Sequence, residues 1–325
     1  MPNKNIFDVV LLFALPASGK SEVRRYMANI SPEKLSEEFH IGDNLQLDDF
    51  PYVFMMRRID EELLKLGEPR MYYPGEDSFL DGRDWATLTT LLNEDYYDMI
   101  NRNVVQCDSA AEYLFQRLEN AAIKVGINPR LTYLKPEIRK ALAEALEDEC
   151  RKMLDEKQAA YPDTMENKTI IVEMSRGGAV GSAMPLADPF GYQYTLRHFC
   201  PEILEKAAIL YIEVTPEESR RKNRERFDPT NPGSSINHGT PELVMIHDYG
   251  CDDIAYLRSV SEVENTVTVK SFDRTYHLPI GVFNNMPDRT TFLRDYPEKW
   301  DKDLVNDIER LVKSATDTMW ANYRK

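Results

Sequence analysis

Cysteine is scarce: the 325 residues include four, Cys107, Cys150, Cys200 and Cys251, spread along the chain without metal-ligand spacing. This excludes a disulfide scaffold, argues against a structural zinc site, and reads as the thiol usage of a reducing compartment. Positive charge is in deficit too, with 40 Lys and Arg against 55 Asp and Glu, a net −15 at pH 7. Such a balance opposes nucleic acid or an anionic membrane surface as a partner unless basic residues cluster locally, and a small charged molecule is the easier ligand. No apolar run approaches a membrane span, and no basic segment with a small-residue cleavage pattern precedes the first apolar stretch. The expectation is a soluble, cytoplasmic protein without membrane contact. Internal repeats are lacking, and nothing in the composition bears on oligomeric state.

What is present begins at Asp8. Val9, Val10, Leu11, Leu12 and Phe13 form an unbroken apolar run, the pattern of a strand covered on both faces of a parallel sheet. Ala14-Leu15-Pro16-Ala17-Ser18-Gly19-Lys20-Ser21 follows at once and fits G-x-x-x-x-G-K-[ST] with Ala at the first position, and Glu22 to Ala28 reads as a helix. In such a loop the backbone N–H groups of Ala17, Ser18, Gly19, Lys20, Ser21 and Glu22 wrap a phosphate. Lys20 reaches the outer phosphates, and the Ser21 hydroxyl can ligate Mg²⁺.

Ser31-Pro32-Glu33 is an N-cap with Pro at N1 and starts a short helix to about Phe39, and His40 to Leu47 is a polar second strand ending in Asp48-Asp49-Phe50-Pro51. Carboxylates there would face the crevice beyond the strand ends where ligands of open parallel sheets sit. From Tyr52 to Asp163 the pattern turns helical, over Tyr52 to Leu66, Trp85 to Asn101, Ser109 to Val125 and Pro136 to about Ala159. In the last, Ile138, Leu142, Leu146, Cys150 and Met153 make one apolar stripe. Tyr72, Tyr73, Tyr96, Tyr97 and Tyr113 read as packing residues rather than a base-stacking surface.

Strands resume at Lys168 to Glu173 and Ala207 to Val214. Thr215-Pro216-Glu217-Glu218 then combines an N-cap, a Pro at N1 and a capping-box Glu, opening a helix with Arg220, Arg221, Lys222, Arg224 and Arg226. Phe227 to Gly239, rich in Pro, Gly, Ser and Asn, reads as a mobile loop before Thr240-Pro241-Glu242 restarts a helix. Thr266 to Lys270 and His277 to Phe283 read as strands, and Lys302 to Trp320 as a terminal helix. The order predicts an α/β fold: a three-layer arrangement of a parallel sheet flanked by helices, with a large helical insertion after the second strand. The expected division is a core over 1–51 and 166–325, carrying a lid near 215–241, and an insertion over 52–165.

The loop resembles that of P-loop proteins, whose motif commonly admits Ala at the first position. The element order resembles their nucleoside and nucleotide kinase-like branch, which includes adenylate, shikimate and uridine kinases. Leu47-Asp48-Asp49-Phe50 looks like the D-D-F-Y segment of uridine kinase-like enzymes, with Pro51 in place of the Tyr. That resemblance implies an acceptor site there, with Asp48 as catalytic base and Asp49 left for a Mg²⁺-bound water or for the insertion. Glu173-Met174-Ser175-Arg176 is similar in position to the acidic residue and arginine of these kinases. Glu173 would then orient water on Mg²⁺ and Arg176 would hold an anionic acceptor or the transferring phosphoryl group. Gly177 and Gly178 would allow a ligand close to the backbone. Arg220 and Arg224 resemble the phosphate-clamping arginines of a kinase lid, since four residues apart they share a helix face, whereas Lys222 reads as solvated surface. Phe283-Asn284-Asn285 looks like the strand-end asparagine near adenine, and Arg57 and Arg58 complete the residues expected to hold the acceptor.

The implied activity is ATP- and Mg²⁺-dependent phosphoryl transfer to a hydroxyl or phosphate of a small molecule bound between the sheet and the insertion. One alternative is a P-loop NTPase or switch with a protein partner. A guanine-reading N-K-x-D motif is lacking, since Asn167-Lys168 continues Thr-Ile. The other is a kinase of polynucleotide ends, which the acidic balance disfavours. The acceptor itself is not legible in the sequence.

Overall fold

The computed structural model describes residues 5–226 and 239–323. The chain forms two compact units, Met1–Gln46 with Met165–Lys325, and Leu47–Thr164. The helical unit therefore starts a few residues before the Tyr52 expected from sequence.

The strands are β1 (Val9–Phe13), β2 (Asp43–Asp48), β3 (Lys168–Met174), β4 (Ala207–Glu213), β5 (Thr266–Ser271) and β6 (Arg274–Asn284), in a sheet of order β2-β3-β1-β4-β6-β5, all in the first unit but for Leu47 and Asp48 at the end of β2. The strand β1 is central and buried along its whole length, which is why its sequence is an unbroken apolar run rather than an alternating one. It runs parallel to β3 and β4, with Phe13 opposite Met174 on one side and Tyr211 on the other, and β4 runs parallel to β6. The edge position of β2 accounts for its polar sequence.

The sheet is not parallel throughout: β5 is antiparallel to β6. Only Phe272 and Asp273 separate the paired residues Ser271 and Arg274, and both have positive φ, 53° and 55°. A two-residue connection has no room for the crossover that parallel neighbours need, and two left-handed residues match the twist of a hairpin.

Helices cover both faces. On one, Val10, Leu12 and Ala14 pack with Ala208, Leu210 and Ile212 under α1 (Lys20–Ala28), α2 (Pro32–Phe39) and the final helix, Lys302–Asn322, through Val23, Met27, Leu35, Phe39, Ile308 and Val312. Each such side chain contributes about 1.5–3 kcal/mol on full burial. On the other face the Phe13 ring stacks at 4.3 Å on Tyr192, which belongs to a helix over Gly191–His198. The caps read from sequence at Ser31 and Thr215 are formed, accepting the N–H of Lys34 and Glu218 respectively. Of the expected lid, residues 227–238 lie outside the described residues.

The second unit contains four helices, α3 (Phe50–Lys65), α4 (Asp84–Asn101), α5 (Ala110–Lys124) and α6 (Pro136–Ala159), each within a few residues of its sequence-predicted span. The buried stripe of α6 runs through Leu142, Ala143, Leu146, Cys150 and Leu154, while Ile138 and Met153 are only half-buried. Tyr72, Tyr73 and Tyr96 are core residues, whereas Tyr97 is exposed. The helices α7 (Gly191–His198), α8 (Pro201–Leu204), α9 (Pro216–Arg226), α10 (Glu242–His247), α11 (Ile254–Ser259) and α12 (Lys302–Asn322) all belong to the sheet unit.

Candidate functional site

The loop from Ala14 to Ser21 leaves the end of β1 and enters α1 directly. Ala17 and Gly19 take left-handed φ values of 57° and 107°, with Ser18 between them. An alternation of this kind turns successive N–H groups toward one concavity and makes an anion-binding nest. The loop's carbonyls are held by side chains. Tyr192 Oη donates to Ala14 O at 3.0 Å, Ser18 Oγ to Leu15 O at 2.6 Å, Ser219 Oγ to Pro16 O at 2.6 Å and Asn285 Nδ2 to Ser18 O at 2.8 Å. In a planar trans peptide the C=O and the following N–H point in opposite directions. Fixing the carbonyls of Ala14, Pro16 and Ser18 therefore also aims the N–H groups of Leu15, Ala17 and Gly19. The first N–H groups of α1 add to the set, since a helix supplies them no partner.

Lys20 is buried and folds back over the loop, with Nζ 2.7 Å from Ser175 Oγ and 3.4 and 3.5 Å from the carbonyls of Ala14 and Leu15. Ser21 is half-buried beside it, and Glu22 is tied to Arg294 at 2.6 Å. At the end of β3, Glu173 pairs with Arg24. Arg176 is buried, donating from Nε to Thr195 Oγ1 at 3.0 Å and from Nη1 to Ser175 O at 2.8 Å. The structure thus brings Lys20 together with Ser175 and places Arg176 next to them. Gly177 and Gly178 have a different use from the one expected. A Cβ on Gly177 would stand 2.3 Å from Cys251 O and 2.7 Å from Asp248 O, and Gly178 forms an antiparallel bridge to Cys251. The smallness of Gly177 admits the chain's own backbone, and that of Gly178 the Leu186 side chain, 2.8 Å from where a Cβ would stand.

That backbone brings in two carboxylates. Asp253 accepts the N–H groups of Tyr192 and Gln193 at 2.7 and 2.9 Å, closing the start of α7 and so positioning the Tyr192 hydroxyl on the loop. Asp252 accepts from Tyr211 Oη at 2.7 Å and from the Ile254 N–H at 3.0 Å. Burial, reinforced by Asp253 and Glu213, pushes the Asp252 carboxyl up to about 6.

The helix α9 has no apolar residue beyond Pro216, yet Ser219, Lys222 and Asn223, at i, i+3 and i+4, are buried. Lys222 is therefore not solvated surface: its Nζ lies 2.7 Å from Asp288 Oδ1 and 3.3 Å from Thr290 Oγ1. Arg220 pairs with Glu217 at 3.0 Å and is largely covered, while Arg224 pairs with Glu242 at 3.2 Å and is mostly exposed. Asn285 is fully buried and bonded to the loop.

Asp48, Asp49, Arg57 and Arg58 fall in the helical unit. The Asp48 carboxylate accepts the N–H of Phe50, the first residue of α3, at 2.9 Å, and Asp49, at the N-cap position, is buried. Arg57 stacks 3.9 Å over the Tyr73 ring and donates to Gly75 O, while Arg58 joins Glu61, Glu62 and Glu149.

Ser219, Lys222, Tyr192, Asp288 and Thr290 are the residues around the loop that sequence reasoning missed. The one signal available was the i, i+3, i+4 spacing of Ser219, Lys222 and Asn223 on a helix too polar to pack by apolar contact. Among the described residues no three His, Cys, Asp or Glu side chains gather as a metal cage, and no helix is long and apolar enough to cross a membrane. Left-handed residues at Ala17 and Gly19, with the Lys20 side chain folded back over the loop, are features suited to an anion. Comparison of the chain with protein-family models, with curated proteins and with solved structures gave no match.

Proposed function

We propose that this chain is a P-loop phosphotransferase, transferring the terminal phosphoryl group of ATP to a hydroxyl or phosphate oxygen of a small molecule. The observation that carries the reading is the fixing of the loop carbonyls at Ala14, Pro16 and Ser18 by Tyr192, Ser219 and Asn285, which sets the orientation of the N–H groups that follow them. Phosphoryl transfer needs mainly alignment and neutralised charge, and a preformed donor cradle supplies both. Lys20 would neutralise the outer phosphates, and Arg176 and Arg220 would take up charge that develops on the transferring group. The bond from the terminal phosphorus to its bridging oxygen breaks, a bond to the acceptor oxygen forms, and the acceptor's proton passes to a base.

Mg²⁺ fits this donor set in one manner only. Phosphate-bound Mg²⁺ keeps several waters and takes few protein ligands, so one hydroxyl, that of Ser21, would hold it, with Glu173 acting through water despite its pairing to Arg24. When bound it would supply charge neutralisation between the outer phosphates. The test is ADP release from Mg·ATP with panels of nucleosides, nucleotides, sugars and other small metabolites. One acceptor class should raise turnover well above the acceptor-free background. Turnover that no acceptor raises, but that a protein partner does, would favour an NTPase switch instead.

A further inference from the structure

The end of β6 and the polar face of α9 meet the loop through one continuous set of buried side chains. Asn285 Nδ2 donates to Ser18 O at 2.8 Å and to Thr290 Oγ1 at 2.9 Å, while Asn285 Oδ1 accepts the Arg289 N–H at 2.8 Å. Thr290 Oγ1 in turn lies 3.3 Å from Asp288 Oδ1 and 3.3 Å from Lys222 Nζ, and Lys222 reaches Asp288 Oδ1 at 2.7 Å. Asn285 and Thr290 have no exposed surface, and Lys222 has 1%. The Asn285 amide thus spends both N–H groups on the protein, and being fully covered it presents no edge to a base. Gly19 is shaped to this contact: a Cβ there would stand 2.6 Å from Thr290 Oγ1 and 2.9 Å from Asn285 Nδ2.

We propose that Asn285, Thr290, Asp288 and Lys222 form a buried positioning relay that holds the Ser18–Gly19 peptide in its anion-binding orientation and locks α9, with its arginines, to the phosphate loop. The inference rests on the phosphate-loop reading and gives it a component that motif and spacing do not contain. The chain of cause is short. With the Ser18 carbonyl drawn toward Asn285, the Gly19 N–H must point the other way, into the concavity. The Thr290 hydroxyl keeps the Asn285 amide turned to Ser18, and the Asp288–Lys222 pair keeps Thr290 in place. Burial alone would raise the Asp288 carboxyl, but the Lys222 ammonium and the N–H groups around it hold it well below the usual carboxylate range. The relay and the Ser219–Pro16 bond dock a helix that has no apolar face with which to dock itself. Together with the Asn223–Thr240 pair of bonds, these contacts fix α9 and its arginines relative to the loop.

The experiment is calorimetric titration of the wild type, Asn285→Asp, Thr290→Val and Thr290→Ser with inorganic tripolyphosphate and with ATP, each with Mg²⁺, at a temperature where thermal unfolding shows all four folded. Thr290→Val keeps the shape at Gly19 and removes the hydroxyl, and Thr290→Ser restores it. Asn285→Asp and Thr290→Val should weaken tripolyphosphate and ATP by the same factor, tenfold or more, and Thr290→Ser should bind as the wild type does. A loss confined to ATP would overturn the relay in favour of a base contact, and unchanged affinity for both ligands in Thr290→Val would overturn it outright. A wild type that binds neither ligand would overturn the phosphate-loop reading and the relay with it, an outcome distinct from the other two. Lys222→Met adds the link to α9: amide exchange over residues 14–21 should speed up, and unchanged exchange would remove α9 from the relay.

Discussion

In the helical unit buried carboxylates consume backbone N–H groups, whereas around the β1–α1 loop of the sheet unit buried side chains consume backbone C=O groups. Asp60 accepts the N–H groups of Met71, Tyr72 and Tyr73, and Glu119 those of Arg130, Leu131 and Thr132. Each closes a helix start or loop that would otherwise strand donors in the interior. The loop between β1 and α1 is treated in the opposite sense. Tyr192, Ser18, Ser219 and Asn285 donate to its carbonyls. Acceptor-only carboxylates therefore close backbone donors in one unit, and hydroxyl and amide donors hold backbone carbonyls at the loop of the other. Direction of hydrogen bonding, not the amount of buried polarity, separates the two.

The salt bridges of the helical unit fit its side of the contrast. Arg130 makes two bonds to Asp84 at 2.8 Å, and Asp95 receives Arg117, Lys157 and the Tyr52 hydroxyl. Burial by itself would raise the Asp95 carboxyl, but Arg117 and Lys157 override it and hold it below the usual range. Removing one member of such a group leaves the others charged and buried. Asp95→Ala is expected to destabilise the helical unit by about 3–5 kcal/mol, the largest effect foreseen, measured by urea unfolding. A cost below about 1 kcal/mol would mean that the network is solvated and that the contrast between the units is overdrawn.

A smaller effect is expected at Asp252, where the sheet unit keeps a carboxyl in an environment that disfavours its charge. Its pKa is raised from an ordinary 3.8 to about 6, first by burial and then by Asp253 and Glu213, against the opposing bond from Tyr211. The fold therefore binds a proton that the unfolded chain has released, and the associated stability is fully present below about pH 4 and lost as pH rises through about 6. Tyr192 on α7 and Cys251 on the same segment are the other titratable neighbours, and both are driven toward the neutral form by burial first. Asp252→Asn removes the titrating group, keeps one oxygen to accept the Ile254 N–H and puts an N–H donor beside the Tyr211 oxygen, so it should flatten the stability profile between pH 4 and 7, a relative gain of about 1–3 kcal/mol at neutral pH. Thermal unfolding across that range checks it, and parallel profiles for the two proteins would contradict it.

Much of the framework was legible because it obeys local rules. Residues 9–13 are apolar at every position because both faces of the central strand are covered, and α6 matches its predicted bounds because its 3.6-residue period is bounded by a Pro at N1. What escaped has tertiary causes. The hairpin turn at Phe272-Asp273 uses two left-handed residues without a Gly or Asn to announce it. The helix α7 opens on Asp253, more than fifty residues ahead in the chain, and so carries no local cap. At the site, the loop itself was readable from Gly19, Lys20 and Ser21, but its supports were not. Lys222 looks like any cation on a charged helix until Asp288 and Thr290 are brought to it from beyond β6.

Calorimetric titration of Mg·ATP into the wild type and Lys20→Ala decides whether the loop at Ala14–Ser21 is a phosphate cradle. Deleting the ammonium removes a charge-assisted bond to the outer phosphates without disturbing the apolar core. The account predicts binding to the wild type and a loss of affinity of about tenfold or more in the variant, with the thermal transition little changed. Equal affinity in the two proteins, or no binding of ATP to the wild type, would contradict it.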